Sequence, residues 1–170
     1  MQTRLLERFL RYVAVTSQSD ASQAVVPSTE GQRSLAELLK KDLDELGLVN
    51  LEISEYSVLT GKLPANLPAG SGEQVPAVGF VAHLDTVDVN LSADIKPQVV
   101  RSYSGGDICL NEKKGIYLRE AEHPELLKYK GQDIVCTDGT SVLGADNKAA
   151  IANVVDRKST RLNSSHRTIS

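Results

Sequence analysis

Cysteine occurs only twice in the chain of 170 residues, at Cys109 and Cys136. Two thiols cannot build the multi-bridge framework that staples a small secreted domain. Long apolar runs are lacking too: no stretch approaches the roughly 20 apolar residues that a membrane-spanning helix needs. The amino terminus is broken by Arg4, Glu7, Arg8 and Arg11, which excludes the apolar core of a signal peptide. A cytoplasmic compartment is therefore the expectation. Excess positive charge is also missing. A formal net charge of -3 gives no electrostatic ground for a nucleic acid or an anionic membrane as partner. The chain has no P-loop, no glycine-rich dinucleotide fingerprint and no internal repeat.

What is present fits one globular domain. Hydrophobic residues make up 41% and charged residues 24%, and the length suffices to bury a core. Leu5, Leu6, Phe9, Leu10 and Val13 recur at helical spacing, so the chain opens on an amphipathic helix. Polar residues from Thr16 to Ser28 form a loop. Thr29 and Gln32 have the spacing of a capping box, with side chains that serve the free amides of a helix start. The helix they open buries Leu35, Leu38, Leu39, Leu43 and Leu46, and Gly47 stands where a left-handed cap is expected.

Leu51, Ile53 and Glu55 alternate with Glu52, Ser54 and Tyr56, the period of a strand with one face exposed. Residues from Gly61 to Gly72 read as loop. The run from Val75 to Ala82 is continuously apolar and suits a central strand buried on both faces. Irregular chain follows from Thr86 to Lys130, with one short helix starting near Glu122. Asp133 to Cys136 forms a short strand. Asp138-Gly139 turns it, Val142-Leu143 pairs back, and a helix opens at Asn147. Helices flanking a buried strand define an α/β layered domain.

The final residues have a different texture. From Asp156 to His166 the chain is polar and without periodicity, and it interrupts the helical pattern at Val155. Those residues can be written codon by codon as a common sequencing-library adapter, which Ile169-Ser170 then resumes. The expectation is that residues 1–155 are a partial catalytic domain and 156–170 a non-native tail, to be left out of fold reasoning. A natural polar tail is the other reading. Under the first, His166 is no metal ligand.

Two constellations can carry chemistry. His83-Leu84-Asp85 follows the apolar run directly. Residues i and i+2 of a strand share a side, so His83 and Asp85 project together from its carboxyl end, where open α/β sheets bind ligands. A ligand imidazole needs its second nitrogen engaged, commonly by a carboxylate, and Asp85 suits that role. The plainer reading is a polar strand end. The second constellation is Gly144-Ala145-Asp146-Asn147-Lys148-Ala149, with Asp146 where a turn becomes a helix. Its carboxylate can bind a metal, bridge two, or simply cap the helix. His123 reads as a surface residue, Cys109 and Cys136 as buried small hydrophobes, and Lys148 as structural. Gly105-Gly106 shapes a loop.

Together these segments resemble a family. Gly79 to Thr86, GFVAHLDT, resembles the first metal motif of the aminoacylase and carboxypeptidase-G-like zinc exopeptidases. Thr137 to Ala149, TDGTSVLGADNKA, resembles the second. Pro27 to Gln32, PSTEGQ, and Ser104 to Ile108, SGGDI, resemble the peptidase T group within that family. The resemblance covers about residues 1 to 155 and leaves out the tail.

The resemblance implies the amino-terminal part of a three-layer α/β catalytic domain, incomplete here. It implies a zinc-dependent aminopeptidase that removes the first residue of tripeptides with a water activated by two zinc ions. His83 would ligate one zinc, Asp146 would bridge both, and Asp85 would be the catalytic-site residue supporting His83. A cis peptide between Asp146 and Asn147 is implied as well. The family also needs a downstream acidic pair, a further acidic ligand and a final histidine. With the tail set aside, none follows Asp146 in residues 147–155, so the 170-residue chain is expected to be inactive and to bind zinc poorly. Oligomeric state is left open, a homodimer of the parent included. The alternatives are a sister deacylase or carboxypeptidase and a non-enzymatic binding module.

Overall fold

The structure, a computed structural model, describes residues 2–65 and 76–164. Val75, residues 66–72 of the expected loop and residues 165–170 of the tail, His166 included, lie outside the described residues.

Three helices form the main packing unit. Helix α1 is Gln2–Val13, α2 is Glu30–Glu45 and α3 is Ala145–Ser164. Phe9, Tyr12 and Val13 of α1 meet Leu35 and Leu39 of α2, together with Leu46, and Ile151, Ala152 and Val155 of α3. Each fully buried aliphatic side chain of this kind contributes about 1.5–3 kcal/mol. The leucine stripe read from the sequence is the core face of α2. Thr29 is its N-cap, but the reciprocal capping box does not form. The Thr29 hydroxyl instead donates to the Gln18 carbonyl at 2.8 Å, and Gln32 bonds to Ser28. Tertiary pairing thus takes the hydroxyl that the local pattern assigns to the helix start. Gly47 caps α2 at a φ of 75°, as expected.

Among the described residues the strands form three separate antiparallel pairs. Strand β1, Val49–Ile53, pairs with β2, Leu59–Lys62. Strand β3, Pro97–Val100, pairs with β6, Ile134–Thr137. Strand β4, Ile108–Asn111, pairs with β5, Ile116–Leu118. A smaller core of Tyr103, Ile108 and Leu126 lies under the last two pairs, with Leu126 supplied by a 3-10 helix over Pro124–Tyr129. Cys136 packs against this cluster, whereas Cys109 is exposed, against the expectation that both thiols are buried.

The composition of helices and small antiparallel sheets is a mixed α/β arrangement. The expected central strand is the main correction. Residues 76–82 form no strand, and Val78, Phe80 and Val81 are exposed. A strand buried on both faces needs a neighbour along its edge and layers above and below. Among the described residues no strand pairs with this run, so its backbone faces solvent. The expected return of Val142-Leu143 onto β6 is also replaced: β6 pairs with β3, some 35 residues earlier.

At the carboxyl end, α3 continues through residue 164, past the break in pattern at Val155. Asp156 is itself buried and accepts from Arg4 and Arg8 of α1, each at 3.0 Å. Asp156, the first residue of the expected tail, thus packs against α1.

Candidate functional site

The first motif is extended chain pinned from one side. The Thr86 amide donates to the Ser17 carbonyl at 3.1 Å, and the Ser19 amide donates to the Thr86 carbonyl at 2.9 Å. A parallel bridge joins Gln18 and Thr86. The buried Ser17 hydroxyl donates to the Leu84 carbonyl at 2.8 Å. These bonds face Leu84 and Thr86 inward, where Leu84 packs on the main core and Thr86 is buried. By strand alternation His83 and Asp85 face outward. The alternation expected of a strand end survives although no sheet forms around it.

The second motif leaves β6 through a turn built on side chains. Asp138 accepts from the Thr140 amide and hydroxyl, and these bonds hold its carboxyl below the usual carboxylate range. Thr137 caps the turn by accepting from the Gly139 amide. The chain then reaches Gly144 at a φ of 69° and passes against Thr86. Asp146 lies off helical geometry, the Asp146–Asn147 peptide is cis, and regular helix follows.

The two motifs meet at His83 and Asp146. His83 Nε2 lies 3.0 Å from Asp146 Oδ1, across 63 positions of sequence. On the other side of the ring, His83 Nδ1 lies 3.2 Å from Asp85 Oδ1 and 3.0 Å from the Asp85 carbonyl. Partial burial alone would lower the imidazole pKa. The hydrogen bond to Asp146 and the contacts with Asp85 outweigh it and raise the value above the ordinary one. The Asp146 carboxylate is 93% exposed, so its remaining lone pairs are open to a further group.

This arrangement fits part of a metal site. One imidazole nitrogen is fixed by a carboxylate behind it while the other faces a second donor, as in a ligand histidine. The donors are nitrogen and oxygen, which suit zinc, but a zinc ion takes three or four protein ligands. Among the described residues no group of three or more His, Cys, Asp or Glu is arranged to hold a metal. By themselves His83 and Asp146 supply two donors, fewer than a zinc ion takes.

The remaining candidates lie elsewhere. His123 is half-exposed beside Glu125, as a surface residue. Gly106 belongs to a loop in which its amide donates to Glu120. Lys148 is fully buried, and its Nζ donates to the Val15 carbonyl at 3.0 Å. Desolvation lowers its pKa to about 8. The sequence carried a signal for this burial. Lys148 shares the i, i+3, i+4, i+7 face of α3 with Ile151, Ala152 and Val155, so it occupies a core position. Ser17 had no such signal, being one serine in a polar loop.

No family model matches the chain. Individual relatives do. A peptidase T-like protein of Yersinia pestis is 51% identical over 155 residues, covering 91% of this chain and 36% of that protein. A peptidase T-like protein of Rhizobium meliloti is 47% identical over the same shares. The peptidase T of Geobacillus kaustophilus is 43% identical over 91% of this chain and 37% of its own length. The chain is a peptidase T homologue. It spans about a third of the length of the curated relatives it matches. The resemblance seen in the four sequence segments is thus borne out at the level of the family. Among the described residues no helix is long and apolar enough to cross a membrane.

Proposed function

We propose that this chain supplies one side of the metal centre of a zinc-dependent aminopeptidase acting on tripeptides. The observation that carries the reading is the 3.0 Å approach of His83 Nε2 to Asp146 Oδ1, with Asp85 behind the ring, in a peptidase T homologue. His83 serves as a ligand through Nε2. Asp85 fixes the ring's plane and its tautomer through Nδ1. Asp146 offers two oxygens and so can serve two ions. Zinc, when bound in such a centre, lowers the pKa of a coordinated water toward neutrality and polarises the scissile carbonyl. The proton acceptor and the groups that read the peptide's amino terminus belong to the part of the relatives' length that this chain does not span.

The reading makes residues 1–155 part of a catalytic domain and residues 156–170 foreign to it. It also makes the 170-residue chain inactive by itself. Release of amino acids from a tripeptide tests both points. The full-length protein that contains this segment should hydrolyse tripeptides, lose activity to a chelator and regain it with zinc. The isolated chain should release nothing. Chelator-resistant hydrolysis by the full-length protein would reject the metal mechanism, and hydrolysis by the chain alone would reject its incompleteness.

A further inference from the structure

We infer that the segment from Val15 to Ser19 is a strut that sets the separation of His83 and Asp146, with Ser17 and Lys148 as its positioning residues. The inference rests on the proposed metal centre and adds to it residues that touch neither metal nor peptide.

Among the described residues no sheet holds His83, and Asp146 lies nine residues beyond the end of β6. Residues 76–82 pair with no strand among the described residues, and Asp146 follows a loop. Both are tied to the same five residues. From the first motif, Leu84 accepts from the Ser17 hydroxyl, and Thr86 exchanges backbone bonds with Ser17 and Ser19. From the second, Lys148 crosses to the Val15 carbonyl. Lys148 stands two residues after Asp146, and its amide donates to the Gly144 carbonyl, so its ammonium anchors the first helical turn behind the carboxylate. His83 lies one residue from Leu84, the acceptor of the Ser17 hydroxyl. A shift of residues 15–19 therefore moves both donors, and loss of either bond lets them move independently.

The strut is itself wedged. A Cβ placed on Gly31, in the first turn of α2, would stand 1.6 Å from the Thr16 carbonyl oxygen. The backbone of α2 thus lies directly on the strut, and the Thr29 hydroxyl bonds to Gln18 beside it. Ser17 and Lys148 are both fully buried. A buried ammonium is costly to desolvate, and one placed on a carbonyl 133 positions away serves to fix geometry. Groups that orient metal ligands from behind typically change metal affinity or activity 10- to 100-fold when removed.

The test uses the full-length protein with Ser17→Ala and Lys148→Met, each compared with wild type. Zinc affinity is measured by chelator competition, ligand geometry by the d–d absorption of the cobalt-substituted protein, and kcat and KM on a tripeptide. Both variants should weaken zinc binding about tenfold or more, alter the cobalt spectrum, and lower kcat with KM nearly unchanged. Ser17→Ala removes one oxygen and adds no volume, so it remains decisive if Lys148→Met fails to fold. A lowered unfolding midpoint with wild-type zinc affinity, cobalt spectrum and kcat would overturn the positioning role while leaving the metal centre standing. A wild-type protein that binds neither zinc nor cobalt would overturn the metal centre and the strut with it.

Discussion

Thr86 and Gly144 meet so closely that a Cβ on residue 144 would lie 2.8 Å from Thr86 Cγ2. The contact joins the two motifs, and Gly144 also holds a φ of 69°. Gly144→Ala therefore combines left-handed strain, about 1–2 kcal/mol, with overpacking of about 1–3 kcal/mol. Together these predict a loss of about 2–5 kcal/mol in urea unfolding. Gly79 has open space around it and no such φ, so Gly79→Ala should stay within about 0.5 kcal/mol of wild type. Equal midpoints for the two variants would contradict the packing described.

The wedge at Gly31 predicts a larger effect. Gly31→Ala cannot be accommodated by a rotamer change, because the clash is with backbone oxygen. The helix start or the strut must move, at a cost of about 3 kcal/mol or more. Hydrogen exchange should show lost protection at Thr86 and Ser19, whose amides report the strut's pairing. Retained protection there would separate α2 from the strut.

Asp133 gives the fold an acid-sensitive limb. Its carboxylate accepts from the Ser102 amide at 2.9 Å and pairs with Arg101, and these contacts lower its pKa, the amide bond foremost. A depressed folded value means that the stabilisation is present above the unfolded pKa of about 3.9 and is lost as pH falls through the folded value. Asp133→Asn should flatten stability against pH below about 4 and leave it sloping as before near neutrality. An unchanged acid limb would show that the contact does not persist in solution.

Asp156 is the first residue of the proposed foreign tail, and it is buried. Its bonds to Arg4 and Arg8 join α3 to α1. Truncation after Asp156 should leave the unfolding midpoint nearly unchanged, whereas Asp156→Ala should cost about 1–2 kcal/mol. Sequencing the source locus through the Val155 codon tests the origin of the tail. A frame that continues as helix and soon presents an adjacent acidic pair is expected. A locus encoding Arg157-Lys158-Ser159-Thr160 and then a stop would contradict the adapter origin.

What could be read from the sequence was local. Thr29 as N-cap and Gly47 as C-cap were legible because the chain within one helical turn decides them. His83, Asp85 and Asp146 were legible as residue types at motif spacing, and the structure brings all three together. Residues 76–82 read as a strand but form none, because apolarity states what a segment would bury, not whether a neighbour is there to cover it. Strand β3 opens on Pro97 and pairs with β6 some 35 residues later, a match that only the folded chain decides. Lys148 reads as structural, yet its partner Val15, 133 positions away, leaves no local signal in the sequence.

The central claim is that His83 and Asp146 share a metal. Zinc content of the purified full-length protein tests it most directly, measured for wild type and Asp146→Asn by mass spectrometry of the metal. Asp146→Asn keeps the shape and removes the charge, so wild type should carry zinc that the variant largely loses, with tripeptide hydrolysis falling in parallel. A variant that retains the wild-type zinc content and activity would contradict the account and leave Asp146 as a helix-start residue only.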